Sequence, residues 1–253
     1  MKKAILATIR RVFGYEKIRN QLNTLATKEE LMEMRQAQLF HDSIIDSEWF
    51  KYKSISLGEW AIDYGTAYVI YRILNQMQPH HILEFGLGQS SRLIYQYAQY
   101  YNTEAITIEH DANWVDFFTK DIGDKYKINI ELVDLEIVNY KGYDVLTYKD
   151  IQKKLYGQSF DFIFVDSPFG DKENGGGCYE YSRSQIIDIV RNNLMESFCV
   201  LIHDTDRIGE RNTIEEVESA LKQKDVHYAI REYIGRIHCT LICSEDLHFL
   251  TTL

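Results

Sequence analysis

Proline is almost missing: 253 residues contain two, Pro79 and Pro168. With no internal repeat and no low-complexity tract either, nothing after the amino-terminal region reads as a linker to a second domain. Long apolar runs are missing too. No stretch reaches the roughly 18 residues that a membrane span needs. Cysteine is scarce, and Cys178, Cys199, Cys239 and Cys243 fall at no metal-knuckle spacing. A chain of this size does not depend on disulfides, so they read as free thiols in a reducing, cytoplasmic compartment. Cys239 and Cys243 share one face of a predicted strand, which points to core packing. Positive charge is in deficit, with 28 Lys and Arg against 38 Asp and Glu and a net charge of -10. That balance argues against nucleic acid as a partner and favours a neutral or small substrate.

The length suits one well-buried domain with a modest extension. Residues 1–47 read as a helical, charged extension and 48–253 as the domain. The first twenty residues combine Lys2, Lys3, Arg10, Arg11, Lys17 and Arg19 with Ile5, Leu6, Ile9, Val12 and Phe13 at helical spacing. They lack the long apolar core and cleavage site of a secretory signal. An interfacial helix on the inner face of an anionic membrane is one reading, and a helix packed on the domain or on a second subunit of a homo-oligomer is the other. Thr27-Lys-Glu-Glu30 reads as a capping box ahead of Leu31, Met32 and Met34. A second helix is expected over 56–76, from Leu57, Trp60, Ala61, Tyr64, Ala67, Tyr68 and Tyr71, with Pro79 closing it.

Beyond Pro79, short apolar runs alternate with helical patterns, the signature of a parallel sheet covered on both faces. Strands are predicted at 81–85, 105–109, 128–133, 160–166 and 198–203. Helices fall between them at about 90–100, 112–121, 150–156 and 181–193, with another at 214–224. Two further strands, 227–234 and 236–244, are joined by Gly235 and must be antiparallel. The expected fold is α/β: a doubly wound, seven-stranded, mostly parallel sheet ending in an antiparallel hairpin.

The most telling stretch is His81-Ile-Leu-Glu-Phe-Gly-Leu-Gly-Gln-Ser-Ser-Arg92. Gly86 and Gly88 let a ligand approach the backbone where strand turns into helix, and Ser90 and Ser91 open a helix whose amides are unpaired donors. In an open parallel sheet, ligands bind beyond the carboxyl ends of the strands. Glu109 ends the second strand, 25 positions after Glu84, near the offset at which a carboxylate accepts from both hydroxyls of a ribose. His110 follows it, and Asp134, after the third strand, is placed to face an adenine edge.

At the same edge stand Asp166 and the run His203-Asp204-Thr205-Asp206-Arg207. His203 is a candidate general base, since imidazole is largely neutral near pH 7. Asp166, Asp204 and Asp206 are also candidate oxygen ligands for Mg²⁺. Between the two clusters, the glycine-rich stretch 169–178 suits a loop that moves over a substrate. Arg183 is placed to pair with a substrate carboxylate, Arg207 is a further candidate substrate contact or else a solvated partner of Asp206, and Trp60, Tyr179 and Tyr181 are candidate stacking surfaces for a substrate ring.

Taken in order, ILEFGLGQSS at 82–91, AITIEHD at 105–111, FDFIFVDSP at 160–168, VLIHDTDR at 200–207 and the closing hairpin resemble the class I S-adenosylmethionine-dependent methyltransferases over about residues 56–250. The resemblance implies that Gly86 and Gly88 line the methionine part of S-adenosylmethionine, that Glu84 takes its amino group and Glu109 its ribose, and that Asp166 lies beside it. The local spacing is most similar to plant glucuronoxylan methyltransferases and related bacterial proteins, which implies O-methylation of a sugar or uronic acid in a glycan. Catechol-type members carry Asp-Asn after the fifth strand, whereas this chain has Asp204-Thr205. A rival reading is an NAD(P)-dependent oxidoreductase. Against it, the third glycine of the dinucleotide fingerprint is Ser91, and no Tyr-x-x-x-Lys pair occurs. A catalytically silent binding subunit is the third reading.

Overall fold

The computed structural model describes residues 15–57, 61–172 and 177–253. Residues 1–14, on which most of the basic amphipathic pattern falls, and Trp60 lie outside them.

Helix α1 (Tyr15–Ile44) leads to α2 (Tyr64–Met77) and then to the alternating region. There β1 (His81–Phe85), α3 (Gln89–Tyr101), β2 (Glu104–Glu109), α4 (Ala112–Ile122) and β3 (Ile130–Leu132) follow in turn. A hairpin of β4 (Leu135–Tyr140) and β5 (Tyr143–Tyr148) precedes α5 (Ile151–Lys154), β6 (Phe160–Val165), α6 (Gln185–Asn192), β7 (Leu194–His203) and α7 (Ile208–Gln223). The chain closes with β8 (Tyr228–Ile234), β9 (His238–Ser244) and a 3₁₀ segment, Glu245–Thr252.

The main sheet has the order β3-β2-β1-β6-β7-β9-β8. The first five strands run parallel, and β9 inserts antiparallel between β7 and β8. This is the doubly wound sheet that the alternation predicts. Chain order reverses beside β1, so β1, β2 and β6 end around one crevice.

Two apolar layers cover the sheet. On one face Ile82, Phe162, Phe164 and Leu201 pack with α2 and with Phe40, Ile44, Trp49 and Phe50. Cys199, Cys239 and Cys243 belong to this layer, so their even spacing does report core packing. On the other face Leu83, Phe85, Ile163, Val165, Val200 and Ile202 pack with α6 and α7. Because side chains alternate along a strand, Glu84 falls on the face of Ile82, inside an apolar layer.

Several expectations need correction. The capping box at Thr27 starts no helix, because α1 runs through it unbroken from Tyr15 to Ile44. The boundary at residues 47 and 48 cuts through a core, since Phe40 and Ile44 of the extension are buried with Trp49 and Phe50 of the domain. Helix α2 begins at Tyr64 rather than 56: Asp63, fully buried, caps it by accepting from Thr66 N at 2.8 Å. The same carboxylate accepts from Ile237 N at 3.0 Å, which ties the helix start to the β8–β9 turn. The β4–β5 hairpin is an addition to the predicted strands. Its signal is the pair Lys141 and Gly142, both at positive φ, between alternating strands.

Candidate active site at the carboxyl edge

The turn after β1 is built from its own neighbours. Gly86 has φ +98°, and a Cβ there would stand 2.9 Å from the Cβ of Ser167. Gly88 is different: a Cβ there would meet nothing within 4 Å, so open space lies above the turn. Glu84 sits beneath, wholly buried, and accepts from Ser90 Oγ at 2.6 Å, Ser91 Oγ at 2.7 Å and Thr107 Oγ1 at 2.6 Å. Register supplies the last of these, since Glu84 pairs with Thr107 across β1 and β2. Burial pushes the Glu84 carboxyl up to about 7, with the three hydroxyls pulling it partway back. Glu84 therefore supports the turn from below. Its oxygens face hydroxyls rather than the crevice, and Ser90 and Ser91 turn their hydroxyls down to it while their backbone opens the helix.

Glu109 is held quite differently. Leu87 N donates to its Oε2 at 2.9 Å, while His110 N at 2.6 Å and Asp111 N at 3.0 Å donate to Oε1. His110 Nδ1 stands 2.8 Å from the same Oε1. Burial raises this carboxyl's pKa, but the His110 side chain and the three amides outweigh it, and the net shift is downward. Glu109 is thus a fixed, ionised acceptor, and its Oε2 has one donor and spare lone pairs. The His110 ring packs edge-on against Phe169 at 5.5 Å, and Trp114 Nε1 donates to Leu87 O at 2.7 Å. Asp134 is exposed at the end of β3, beside the end of β2.

The other half of the edge is a charge cluster. Val165 pairs with Ile202 across β6 and β7, so the next residues, Asp166 and His203, meet by register. His203 Nδ1 lies 2.9 Å from Asp166 Oδ1, and the imidazole is almost fully buried with no hydrogen-bond partner at Nε2. Burial lowers its pKa, yet the Asp166 charge and hydrogen bond outweigh that and hold His203 above its usual value. A histidine whose Nδ1 is given to a carboxylate keeps Nε2 as its acceptor when neutral.

Arg183 does not wait for a substrate. It is 3% exposed and sits in a left-handed turn with φ +59°, just before α6. Its Nη2 contacts Asp166 Oδ1 at 3.2 Å and donates to Asp204 Oδ2. Its Nη1 donates to His203 O at 2.6 Å and Val165 O at 3.3 Å. The substrate role expected of it is excluded by this enclosure. Asp204, also left-handed at φ +62°, is pulled up by burial but held below the usual range by Arg183, His203 and Arg207. Arg207 stands at the N-cap position of α7, its side chain partly open to solvent and its Nη2 3.4 Å from Asp204 Oδ1.

The donor set does not fit Mg²⁺. Asp166 Oδ1 and Asp204 Oδ2, the carboxylate oxygens that face His203 Nδ1, are both held by Arg183 Nη2, and the third donor is a nitrogen. Asp206 is exposed and stands outside the cluster. The metal expectation is therefore withdrawn. One participant had no sequence signal at all. Glu210, in the first turn of α7, is fully buried with no hydrogen-bond partner at either oxygen, and its nearest charge is Arg183 Nε at 3.7 Å. Burial raises its carboxyl.

A wide depression of about 1600 Å³ lies at the opposite edge of the sheet, among His81, Tyr95, Glu104, Tyr126, Asn129 and Phe160. None of the residues above reaches it, and the strands begin there rather than end. Among the described residues, no helix is long and apolar enough to cross a membrane.

No family model matches the chain, and no curated protein matches it. Solved structures do resemble it. A Podospora anserina methyltransferase in its SAH-bound form is 14% identical, with 90% of this chain and 96% of that one covered at a TM-score of 0.48. A Pyrococcus furiosus methyltransferase is 14% identical over 84% and 98% at 0.47. A Geobacter metallireducens precorrin-6y C5,15-methyltransferase is 13% identical over 76% and 94% at 0.45. These are likenesses of chain course at low identity, and none of the three assigns an activity here.

Proposed function

We propose that this chain is an S-adenosylmethionine-dependent O-methyltransferase acting on a sugar or uronic acid hydroxyl of a glycan. The observation that carries this reading is the meeting, at one sheet edge, of an open glycine turn, an ionised ribose-type acceptor and an Asp166–His203 pair whose buried Nε2 has no hydrogen-bond partner. The strand-end motifs at 82–91, 105–111, 160–168 and 200–207, by their resemblance to the class I methyltransferases, support S-adenosylmethionine as the cofactor.

The turn fits the cofactor on this chain's own geometry. Open space above Gly88 is what an approaching ligand needs, and Glu109 Oε2 has room to accept from a diol. Glu84 takes no ligand contact in this reading and acts as the support of the turn. When bound, S-adenosylmethionine supplies a methyl group on a sulfonium centre. The protein's part is to hold the acceptor in line with that group, exclude water and remove a proton. His203 is the base: its Nε2 takes the hydroxyl proton, Asp166 holds Nδ1–H and stabilises the imidazolium, and Asp204 with Arg183 keeps the pair in place. Arg207, partly exposed at the rim, suits a uronic acid carboxylate.

Calorimetric titration with S-adenosylmethionine, S-adenosylhomocysteine and NAD(H) tests the cofactor. Binding of the first two is expected. Binding of NAD(H) alone would overturn the reading. Methyl transfer to glycan acceptors with and without a uronic acid then tests the acceptor.

A further inference from the structure

We propose that the Arg183 guanidinium occupies the place of a divalent cation, and that Arg183 is the positioning residue that makes this edge independent of metal. One ligand atom each from Asp166, His203 and Asp204 lie within 4.8 Å of one another, close enough to surround one ion. Arg183 Nη2 already contacts the two carboxylates there, and Nη1 reaches the carbonyls of Val165 and His203, the last residues of β6 and β7. A bound ion would join the same two strand ends through the side chains of Asp166, His203 and Asp204.

The exchange matters for the histidine. A cation would compete for the Nδ1 lone pair and for Asp166 Oδ1, leaving the ring's tautomer to the ion. Guanidinium has only donors and cannot lose its proton, so it leaves the Nδ1–H to Asp166 contact intact and keeps Nε2 free. It also cannot be chelated away. Arg183 is enclosed by Asp166, Asp204 and Glu210, and its left-handed backbone turns the side chain inward ahead of α6. An Arg in that conformation is uncommon, and here the surrounding contacts over-determine it.

The inference stands on the cluster's geometry, and only its bearing on catalysis rests on the methyl-transfer reading. The probe is Co²⁺, whose visible bands report nitrogen and carboxylate ligation. In the full chain no such bands are expected, and excess Co²⁺ should leave the melting temperature unmoved. Arg183→Met keeps the stem's bulk and removes the charge. It should bind a single equivalent of Co²⁺, show the bands and melt higher with the ion. Adding Asp204→Asn to that variant should abolish all three.

Two results would overturn the proposal: bands in the unaltered chain that Asp204→Asn removes, or a folded Arg183→Met that binds no Co²⁺. If Arg183→Met folds only when Co²⁺ is added, the ion has replaced the guanidinium, as proposed. If Co²⁺ fails to restore folding, the proposal is wrong. A chain that gives the expected cobalt results and yet binds no S-adenosylmethionine would sink the methyl-transfer reading alone.

Discussion

Glu84, near the end of β1, and Asp166, just past the end of β6, lie two register positions apart on adjacent strands, yet the protein holds them by opposite means. Glu84 is wrapped in three neutral hydroxyls and has its carboxyl raised to about 7. Asp166 faces an imidazole and a guanidinium. Hydroxyls can donate to a carboxylate or accept from a carboxylic acid, so they tolerate either state of Glu84. Cationic donors favour the ionised state alone. The pair shows how one sheet edge separates a support from a working group: the buried acid under the turn is met by neutral donors, whereas the one beside the histidine is met by a guanidinium and an imidazole.

The comparison breaks most sharply at His203. His203→Ala should lower methyl transfer by about 10²–10⁴-fold, the range of general-base contributions, while cofactor binding stays intact. Loss of cofactor binding in parallel would mean that the edge is not divided as described. The pH profile refines this. A base must be unprotonated, and His203 is held above its ordinary value, so kcat/KM should rise with pH through a midpoint above about 6.5. Asp166→Asn removes the charge that holds the proton, and should move that midpoint down as well as slow the reaction. A midpoint that moves up would reverse the assigned roles.

Glu84 gives the opposite dependence, in stability. Its folded value, about 7, exceeds the ordinary glutamate value of 4.5. The folded state then binds the extra proton between those values, and stability should fall as pH rises from about 4.5 to 7. The full excursion is roughly 3 kcal/mol, an upper figure for a carboxyl so well supplied with donors. Glu84→Gln cannot ionise, so the slope it contributes should vanish. Urea unfolding at several pH values measures it, and an unchanged slope would show that Glu84 is not the titrating group.

How much of this was legible in the sequence follows from distance along the chain. The β1 turn was readable because its parts lie within eight residues and its glycines have a steric reason to be there. Glu109, Asp166 and His203 were readable because alternating strands end on one edge, so position in the pattern gives position in space. Arg183 is visible in the sequence as a charge near the edge, but its inward role is not. Its spacing placed it near the cleft, but only the turn before α6, left-handed at Arg183, shows that the side chain points inward. Glu210 was unreadable, since a glutamate in a helix's first turn ordinarily faces water. The hairpin of β4 and β5 stands outside the alternation of strand and helix that the main sheet follows, pairing only with itself around Lys141-Gly142, so that pattern gives it no place.

The smallest expected effect sharpens the comparison most, because it sets two glycines of one turn against each other. Gly86→Ala forces a side chain onto φ +98° and toward Ser167, so it should destabilise the fold by about 1–2 kcal/mol. Gly88 has extended backbone at φ -167° and no atom near a would-be Cβ. Gly88→Ala should therefore leave stability unchanged or raise it slightly, through the unfolded state, by under about 1 kcal/mol. Its cost should appear only in the bound state, as weaker S-adenosylmethionine binding, because the methyl enters space that the ligand needs. Thermal melts with and without the cofactor separate the two variants. If Gly88→Ala binds S-adenosylmethionine as tightly as the unaltered chain, the space above Gly88 is not where the ligand lies, and the turn's second glycine serves the backbone alone.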